Sequence, residues 1–245
     1  MRFVVASEAI NGVPVIRDAF PRTVRLVTTA RLRDAVLKVL ADNDAELGEL
    51  AEIEGATSTR LMAQDHGLDA ITAEDFVYNV PHANFINASF AYAKPKELNR
   101  FNGPSRGAWY AALDAPTCLA EVSFHMAEFL SRAGMYEAVV EYAEMFSSLA
   151  GEYLDLRQVP EHPSLGPDCD SSYRAGNTLA DAVMAQGING IIYPSVRHVG
   201  GTCFAVLWPH AVQSVAQGDI VRLTWKGSPE PEFQWLAGNK PEVVV

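Results

Sequence analysis

The sequence is poor in cysteine and in positive charge, and each shortage excludes a class of protein. Its 245 residues include only three cysteines, far apart and without a Cys-x-x-Cys spacing: Cys118, Cys169 and Cys203. So sparse a set argues against a disulfide framework and a cysteine-rich zinc site, and fits the reduced thiols of a cytosolic protein. Thirty acidic residues outnumber nineteen basic ones, which gives a net charge of -11. Because nucleic-acid-binding surfaces concentrate positive charge, nucleic acid is not an expected partner.

Long apolar runs and targeting signals are also missing. No stretch of about 18 apolar residues is uninterrupted, so no membrane span is expected. Residues 1–11 lack the basic start and the continuous apolar run of a signal peptide. A hydrophobic fraction of 49% with 20% charged residues is ordinary for a globular protein. The predicted location is therefore the cytoplasm, without a membrane partner.

Several motifs that bind nucleotides or metals do not occur in the sequence. It has no Walker loop, no Gly-x-Gly-x-x-Gly after a strand and no His-Glu-x-x-His. The six histidines show no pairwise spacing typical of metal ligands. We therefore expect neither a dinucleotide-binding parallel sheet nor a metal ion.

Hydrophobic periodicity predicts a helical N-terminal portion over residues 1–75. Its start, to about Pro21, is interpreted as loop and short strand. Three helices with apolar residues at helical spacing are predicted to follow: one after Thr28 or Thr29, one over residues 44–53 and one over residues 56–69. Among these helical residues, Arg60 is the one candidate for chemistry.

Residues 76–245 are predicted to form the catalytic core, with an α+β fold. Short strands are predicted over residues 108–113, 135–142, 153–156, 190–193, 202–207 and 220–225. One helix begins at Asp114 or Thr117 and ends near Leu130, and another ends at Gly187. Runs of strands interrupted by single helices, without strict alternation, favour α+β over a doubly wound sheet.

Two patches of this core could carry chemistry. Arg100 and Arg106 flank a turn with glycines that allow close approach of a ligand, so their guanidinium groups could bind phosphate oxygens; the alternative is a solvated surface turn. Farther along, Glu121 lies at the edge of the apolar stripe of a predicted helix, with His125 one turn later. Such a carboxylate is either the partner of a buried arginine or a functional acid, and His125 alone fits a structural role.

A third patch surrounds Ser195, which follows a buried strand and precedes a loop closed by Gly200 and Gly201. No Gly-x-Ser-x-Gly elbow surrounds this serine, so it does not resemble a hydrolase nucleophile. Its hydroxyl either contacts a ligand or satisfies the loop backbone.

Together these patches resemble the RES domain family. The resemblance rests on four features: Arg-Phe-Asn beginning at Arg100, Tyr110, Leu-Ala-Glu ending at Glu121, and Tyr-Pro-Ser ending at Ser195 ahead of two glycines. They occur in the family's order, over roughly residues 76–212. The resemblance implies an ADP-ribosyltransferase-like split β-sheet and a toxin of a type II toxin–antitoxin module that consumes NAD+. A cognate antitoxin covering the active site is the implied partner.

The resemblance also implies roles for single residues. Arg100 would hold the pyrophosphate and Tyr110 would stack on the nicotinamide or its ribose. Glu121 would stabilise the positive charge that develops as the glycosidic bond breaks. These three are the predicted catalytic residues. Ser195 would contact the ribose or a phosphate, and Arg106 is added as a second phosphate donor on its position in the turn.

The acceptor of the ADP-ribose is left open. The long N-terminal portion and an insertion at residues 144–169 distinguish the chain from shorter family members. These additions supply surface that could recognise a protein, so transfer to a protein substrate is slightly favoured over glycohydrolase or phosphorylase chemistry with water or phosphate. NAD+ is then a substrate, and no metal is required. The rival of another class is a non-catalytic nucleotide-binding protein.

Overall fold

The computed structural model describes residues 6–10, 12–29, 71–91 and 98–236. This part of the chain forms eight strands and three α-helices. In chain order they are β1 (Ala6–Ile10), β2 (Val13–Thr28), α1 (Ala83–Ala91), β3 (Trp109–Ala112), α2 (Ala115–Arg132), β4 (Glu137–Asp155), α3 (Cys169–Ala185), β5 (Gly190–Pro194), β6 (Thr202–Val206), β7 (Val212–Lys226) and β8 (Glu232–Leu236). None of the described helices is long and apolar enough to cross a membrane.

The eight strands form one mixed sheet in the order β1-β2-β3-β6-β5-β4-β7-β8, and β2 also pairs with β4. The short strands β3, β6 and β5 form one antiparallel group, and the remaining strands form a second. Two narrow junctions join the groups. One is the single pair Val24↔Ala112, and the other is a parallel stretch in which Tyr153–Asp155 faces Gly190–Ile192. The prediction of an α+β fold with a split sheet is confirmed.

Residues 6–28 of the predicted helical N-terminal portion form β1 and β2 of the main sheet, where loop and short strand were predicted up to about Pro21. β2 pairs with β4 from Val15 to Thr28. Pro21, the approximate end of the segment interpreted as loop and short strand, cannot donate to a strand ladder. It lies, however, where the register between β2 and β4 shifts, which is a position at which a strand tolerates proline. The predicted helices beyond Thr29, with Arg60, lie outside the described residues.

The strands predicted on either side of residues 143–152 are a single strand in the structure. Residues 144–155 are the second half of this strand, β4. Within it, Ser147 is buried and its hydroxyl lies 2.8 Å from that of Thr23, which also donates to the Ser147 carbonyl. A strand can hold such polar side chains when the neighbouring strand satisfies them.

Most other predicted elements of the core are confirmed. Asp114 caps α2 by accepting a hydrogen bond from the Thr117 amide at 2.8 Å. α3 ends just before Gly187, whose φ of 69° is in the left-handed region that favours glycine. β3, β5 and β6 lie within one residue of their predicted ends. β7 is longer than predicted, and α1 and β8 were not predicted.

The helices cover the sheet over two apolar clusters. One cluster contains residues of α2 and α3 such as Leu130 and Val183, and it includes Tyr193 of β5. The second contains Phe90 of α1 and Trp109 of β3. β3 thus lies between the clusters. Tyr110, the residue after Trp109 in β3, packs against the first cluster, where the cavity described below opens.

Candidate active site

A cavity of about 220 Å³ lies where the two strand groups meet α2 and α3. Several described elements each contribute a polar or aromatic side chain to its lining: Arg25 from β2, Arg100 from the segment before β3, Tyr110 from β3, Glu121 and His125 from α2, Tyr173 from α3 and Tyr193 from β5. Three predicted site residues, Arg100, Tyr110 and Glu121, therefore share one cavity.

Glu121 is half-buried on the cavity side of α2, one turn after the buried Cys118. Its Oε1 accepts a hydrogen bond from the Ser195 hydroxyl at 2.7 Å. The Cys203 thiol also points to Oε1, at 3.9 Å. The carboxylate is thus held in a defined orientation at the edge of the core, as the sequence pattern predicted.

Ser195 lies behind Glu121 and is not part of the cavity lining. Its oxygen accepts hydrogen bonds from the backbone amides of Arg197 at 3.1 Å and His198 at 3.0 Å, while its single proton goes to Glu121. A hydroxyl has one proton to donate, so this geometry commits it to the carboxylate. The alternative in which Ser195 satisfies its loop backbone is confirmed, and the hydroxyl also orients Glu121.

Arg100 is buried and held against the turn Pro163–Leu165. Its Nη1 donates to the Ser164 carbonyl at 2.5 Å and the Gly166 carbonyl at 3.4 Å, and its guanidinium lies 5.2 Å from the ring centroid of Tyr173. At Gly176 a Cβ atom would lie 1.9 Å from the Arg100 carbonyl oxygen, so α3 packs directly on this backbone. The guanidinium is therefore fixed in orientation beside the cavity.

Tyr110 offers its ring to the cavity while its hydroxyl is used inside the protein. The hydroxyl donates to Asn102 Oδ1 at 2.9 Å and accepts from the Phe101 amide at 3.0 Å. Burial raises the pKa of Tyr110 far above its usual value, so the phenol stays neutral. Its hydrogen bonds tie β3 to the segment that carries Arg100.

The structure does not place Arg106 among the residues that line the cavity, so this geometry does not support its predicted role as a second phosphate donor. Its side chain is buried on the far side of the turn, where Nη2 donates to the Leu207 carbonyl and the guanidinium lies 5.0 Å from the Trp208 ring centroid. The backbone carbonyl of Arg106 accepts from Asn102 Nδ2 at 2.9 Å. This closes the turn and directs the two arginines to different places.

Among the lining residues that sequence reasoning missed are Arg25 and Tyr173. Arg25 of β2 has its guanidinium 4.8 Å from the Trp109 ring centroid, and its Nη1 donates to the Tyr110 carbonyl at 3.4 Å. Tyr173 of α3 packs over Arg100. The alternation around Val24 and Leu26 could have revealed β2, but no local pattern marks either side chain as part of a site.

The groups packed near Glu121 are neutral. Burial, with a smaller contribution from the Glu121 carboxylate, raises the pKa of the Cys118 thiol to about 12 and that of Cys203 above its usual range. The pKa of Tyr193 is raised for the same reasons. The thiols are therefore protonated and do not act as nucleophiles, since reactivity requires the thiolate.

Comparison with known protein families places the chain in the RES domain family, whose model matches residues 76–226. The chain belongs to this family. No curated protein matches the sequence. Among solved structures, the chain is similar to a chain of the M. tuberculosis MbcT–MbcA toxin–antitoxin complex. The identity is 18%, the match covers 86% of this chain and 87% of the other, and the TM-score is 0.41.

Proposed function

We propose that this member of the RES domain family cleaves the nicotinamide–ribose bond of NAD+ and acts as the toxin of a toxin–antitoxin module. The observation that carries the proposal is the Glu121 carboxylate, oriented by Ser195 at 2.7 Å on the wall of a cavity that also holds Arg25 and Arg100. This cleavage needs a fixed anion to stabilise the positive charge on the ribose, and nearby cations to bind the pyrophosphate.

Glu121 supplies the electrostatic part of the reaction. When the bond between the ribose carbon and the nicotinamide nitrogen breaks, both electrons stay with nicotinamide, which leaves neutral, and positive charge develops on the ribose. A carboxylate held beside that carbon stabilises the charge more in the transition state than in the bound substrate. Because Ser195 fixes Oε1, little reorganisation is needed during the step.

Arg25 and Arg100 account for binding of the pyrophosphate. The chain carries a net charge of -11, so an anionic substrate requires a local concentration of cations. Two arginines line the cavity, and the planar fork of a guanidinium group suits phosphate oxygens. Both come from segments held in place, Arg25 by β2 and Arg100 by the carbonyls of Ser164 and Gly166.

Aromatic rings account for recognition of the flat nicotinamide. Tyr110, Tyr173 and Tyr193 all line the cavity. Because their raised pKa values keep them neutral, they present apolar rings suited to stacking on a heterocycle. The chemistry assigned to these residues needs no metal, since the nicotinamide ring is cationic in NAD+ and becomes neutral as it leaves.

The acceptor of the ADP-ribose is a protein, phosphate or water. The preference for a protein rested on two additions to the chain, and half of one is part of β4. Residues of its other half, Ser164 and Gly166, hold Arg100. This segment therefore serves the site itself, and its size is no longer a reason to favour a protein acceptor.

An antitoxin is the partner we assign to this toxin, and the cytoplasm is the compartment, because NAD+ and the antitoxin must both reach the cavity. The antitoxin would neutralise the enzyme by covering the cavity mouth. Adding a co-purified antitoxin is then expected to stop nicotinamide release and to block NAD+ binding together.

The proposal is tested by incubating the purified protein with NAD+ and measuring free nicotinamide. Parallel reactions in phosphate-free buffer, in phosphate, and with labelled NAD+ and cell extract identify the acceptor as water, phosphate or a protein. Release of nicotinamide that disappears in Glu121→Gln supports the proposal. Tight NAD+ binding without nicotinamide release in any of the three reactions contradicts it and favours a non-catalytic nucleotide-binding protein.

A further inference from the structure

The loop between β5 and β6, here called the Ser195–Gly201 loop, packs against one face of α2. Thr117, Glu121 and Phe124 are spaced four and three residues apart, so their side chains lie on one face of the helix. Each of the three contacts a different residue of the loop. The contacts fall one turn before Glu121, on Glu121 and one turn after it.

The first contact joins the start of α2 to His198. Thr117 Oγ1 lies 2.9 Å from His198 Nδ1, and Thr117 is fully buried. Gly201 packs against the same side chain, since a Cβ there would lie 2.6 Å from Thr117 Oγ1. Because any other residue at position 201 would bring a Cβ atom against Thr117, glycine allows the loop to lie this close to α2.

The third contact is made by Arg197. Its guanidinium lies 3.4 Å from the ring centroid of Phe124, and Nη2 donates to the Pro167 carbonyl at 3.4 Å and points to Cys169 Sγ at 3.6 Å. Arg197 thus connects the middle of α2 to the start of α3. It is not among the residues that line the cavity.

The central contact depends on the other two. The backbone amides of Arg197 and His198 both donate to Ser195 Oγ, which donates to Glu121, and the Ser195 amide donates to the Gly201 carbonyl at 2.8 Å. A shift of the loop relative to α2 would move these two amides and with them the hydroxyl that orients the carboxylate.

We infer that Arg197 and His198 are positioning residues for Glu121: through Phe124 and Thr117 they hold the helix and the serine in register. This inference rests on the proposed function. It predicts that their loss slows bond cleavage while leaving substrate binding, which we assign to Arg25 and Arg100, nearly intact.

The test compares kcat and KM for NAD+ in Arg197→Ala, Arg197→Lys and the exposed control Arg132→Ala, which lies in the last turn of α2. Arg197→Ala is expected to lower kcat about tenfold or more with KM changed less than about threefold, because misplacement of a catalytic group acts on the chemical step. Arg197→Lys is expected to recover part of kcat, since an ammonium also binds an aromatic face. Arg132→Ala is expected to match the wild type.

A second comparison uses His198→Ala and His198→Asn. The asparagine amide can reach Thr117 from nearly the position of Nδ1, so it is expected to restore the kcat that the alanine variant loses. This rescue keeps the inference testable if either alanine variant folds poorly, which the thermal midpoint would reveal.

The decisive measurement repeats Arg197→Ala in the Glu121→Gln background. If Arg197 acts through the carboxylate, adding Arg197→Ala to Glu121→Gln lowers the turnover no further, because the effects of coupled residues are non-additive. An equal loss in both backgrounds overturns the inference, as does a rise in KM with unchanged kcat. Full activity of Arg197→Ala beside an inactive Glu121→Gln overturns the inference but leaves the proposed function standing. No turnover by the wild type overturns both.

Discussion

Two walls of the cavity carry opposite charges and come from different parts of the chain. One is built by α2 and presents Glu121, held by Ser195. The other is built by β2 and the segment before β3, and includes Arg25 and Arg100. Under the proposed function the site divides its work: the acidic wall would stabilise developing positive charge, and the basic wall would bind the substrate's anionic part. A substitution on one wall is therefore expected to leave the function of the other wall intact.

The largest effect is expected on the acidic wall. Glu121→Gln keeps the shape of the side chain and its hydrogen bond to Ser195 but removes the charge. Turnover is expected to fall about 100-fold or more, as when one preorganised electrostatic group is lost. Nicotinamide release at saturating NAD+ measures it, with a thermal melt to show that the fold is intact. Near-normal release would remove Glu121 from the mechanism.

A smaller effect, of a different kind, is expected on the basic wall. Arg100→Lys keeps the charge but cannot reproduce the fork, so KM for NAD+ should rise about tenfold or more, the equivalent of one lost charge-assisted hydrogen bond. Arg132→Lys, at an exposed position on α2, is the matched control. Equal KM values for the two variants would show that Arg100 only holds the turn Pro163–Leu165.

The aromatic lining is expected to contribute less than either charge. Tyr173→Leu removes a ring that packs over Arg100, and KM should rise several-fold, in line with the roughly 1 kcal/mol of an aromatic pair. Tyr173→Phe should restore most of it. The control is Tyr78→Leu, since Tyr78 is exposed and its hydroxyl bonds to Ala73 outside the cavity. A kcat defect with unchanged KM in Tyr173→Leu would place this ring in the chemical step instead.

The smallest kinetic effect is expected at Arg106, which serves neither wall. Arg106→Met leaves the Leu207 carbonyl without this donor, which costs about 1–3 kcal/mol and lowers the melting temperature by several degrees. Values of kcat and KM for NAD+ should stay at the wild-type level. A rise in KM as large as that of Arg100→Lys would restore the phosphate-binding role that its position in the turn suggested.

The acidic wall could be predicted from the sequence, and the basic wall only in part. Local patterns sufficed for α2: Asp114 caps it, and the apolar stripe puts Glu121 at its edge. They failed for β2, because Pro21 resembles a loop residue until its bulge opposite β4 is known. Arg25 was missed with it. Pairing of residues this far apart in sequence is decided by packing, which local propensity does not report.

The contrast between Arg100 and Arg106 shows a second limit. Both flank the same turn, and residue type and spacing gave them the same role. The direction of each side chain depends on a hydrogen-bond acceptor far away in sequence, the Ser164 carbonyl for Arg100 and the Leu207 carbonyl for Arg106. The sequence singled out both Ser195 and Glu121, but their hydrogen bond crosses from a loop to a helix and no motif encodes it.

The division of work between the walls is tested most directly by calorimetric titration of NAD+ into Glu121→Gln and into Glu121→Gln/Arg100→Lys. Without turnover to disturb the titration, the first variant should bind one NAD+ per chain, at concentrations that support wild-type turnover. The second should bind about tenfold more weakly or not at all, because it lacks the fork. Failure of folded Glu121→Gln to bind NAD+, or equal affinity of the two variants, would contradict separate walls for chemistry and binding.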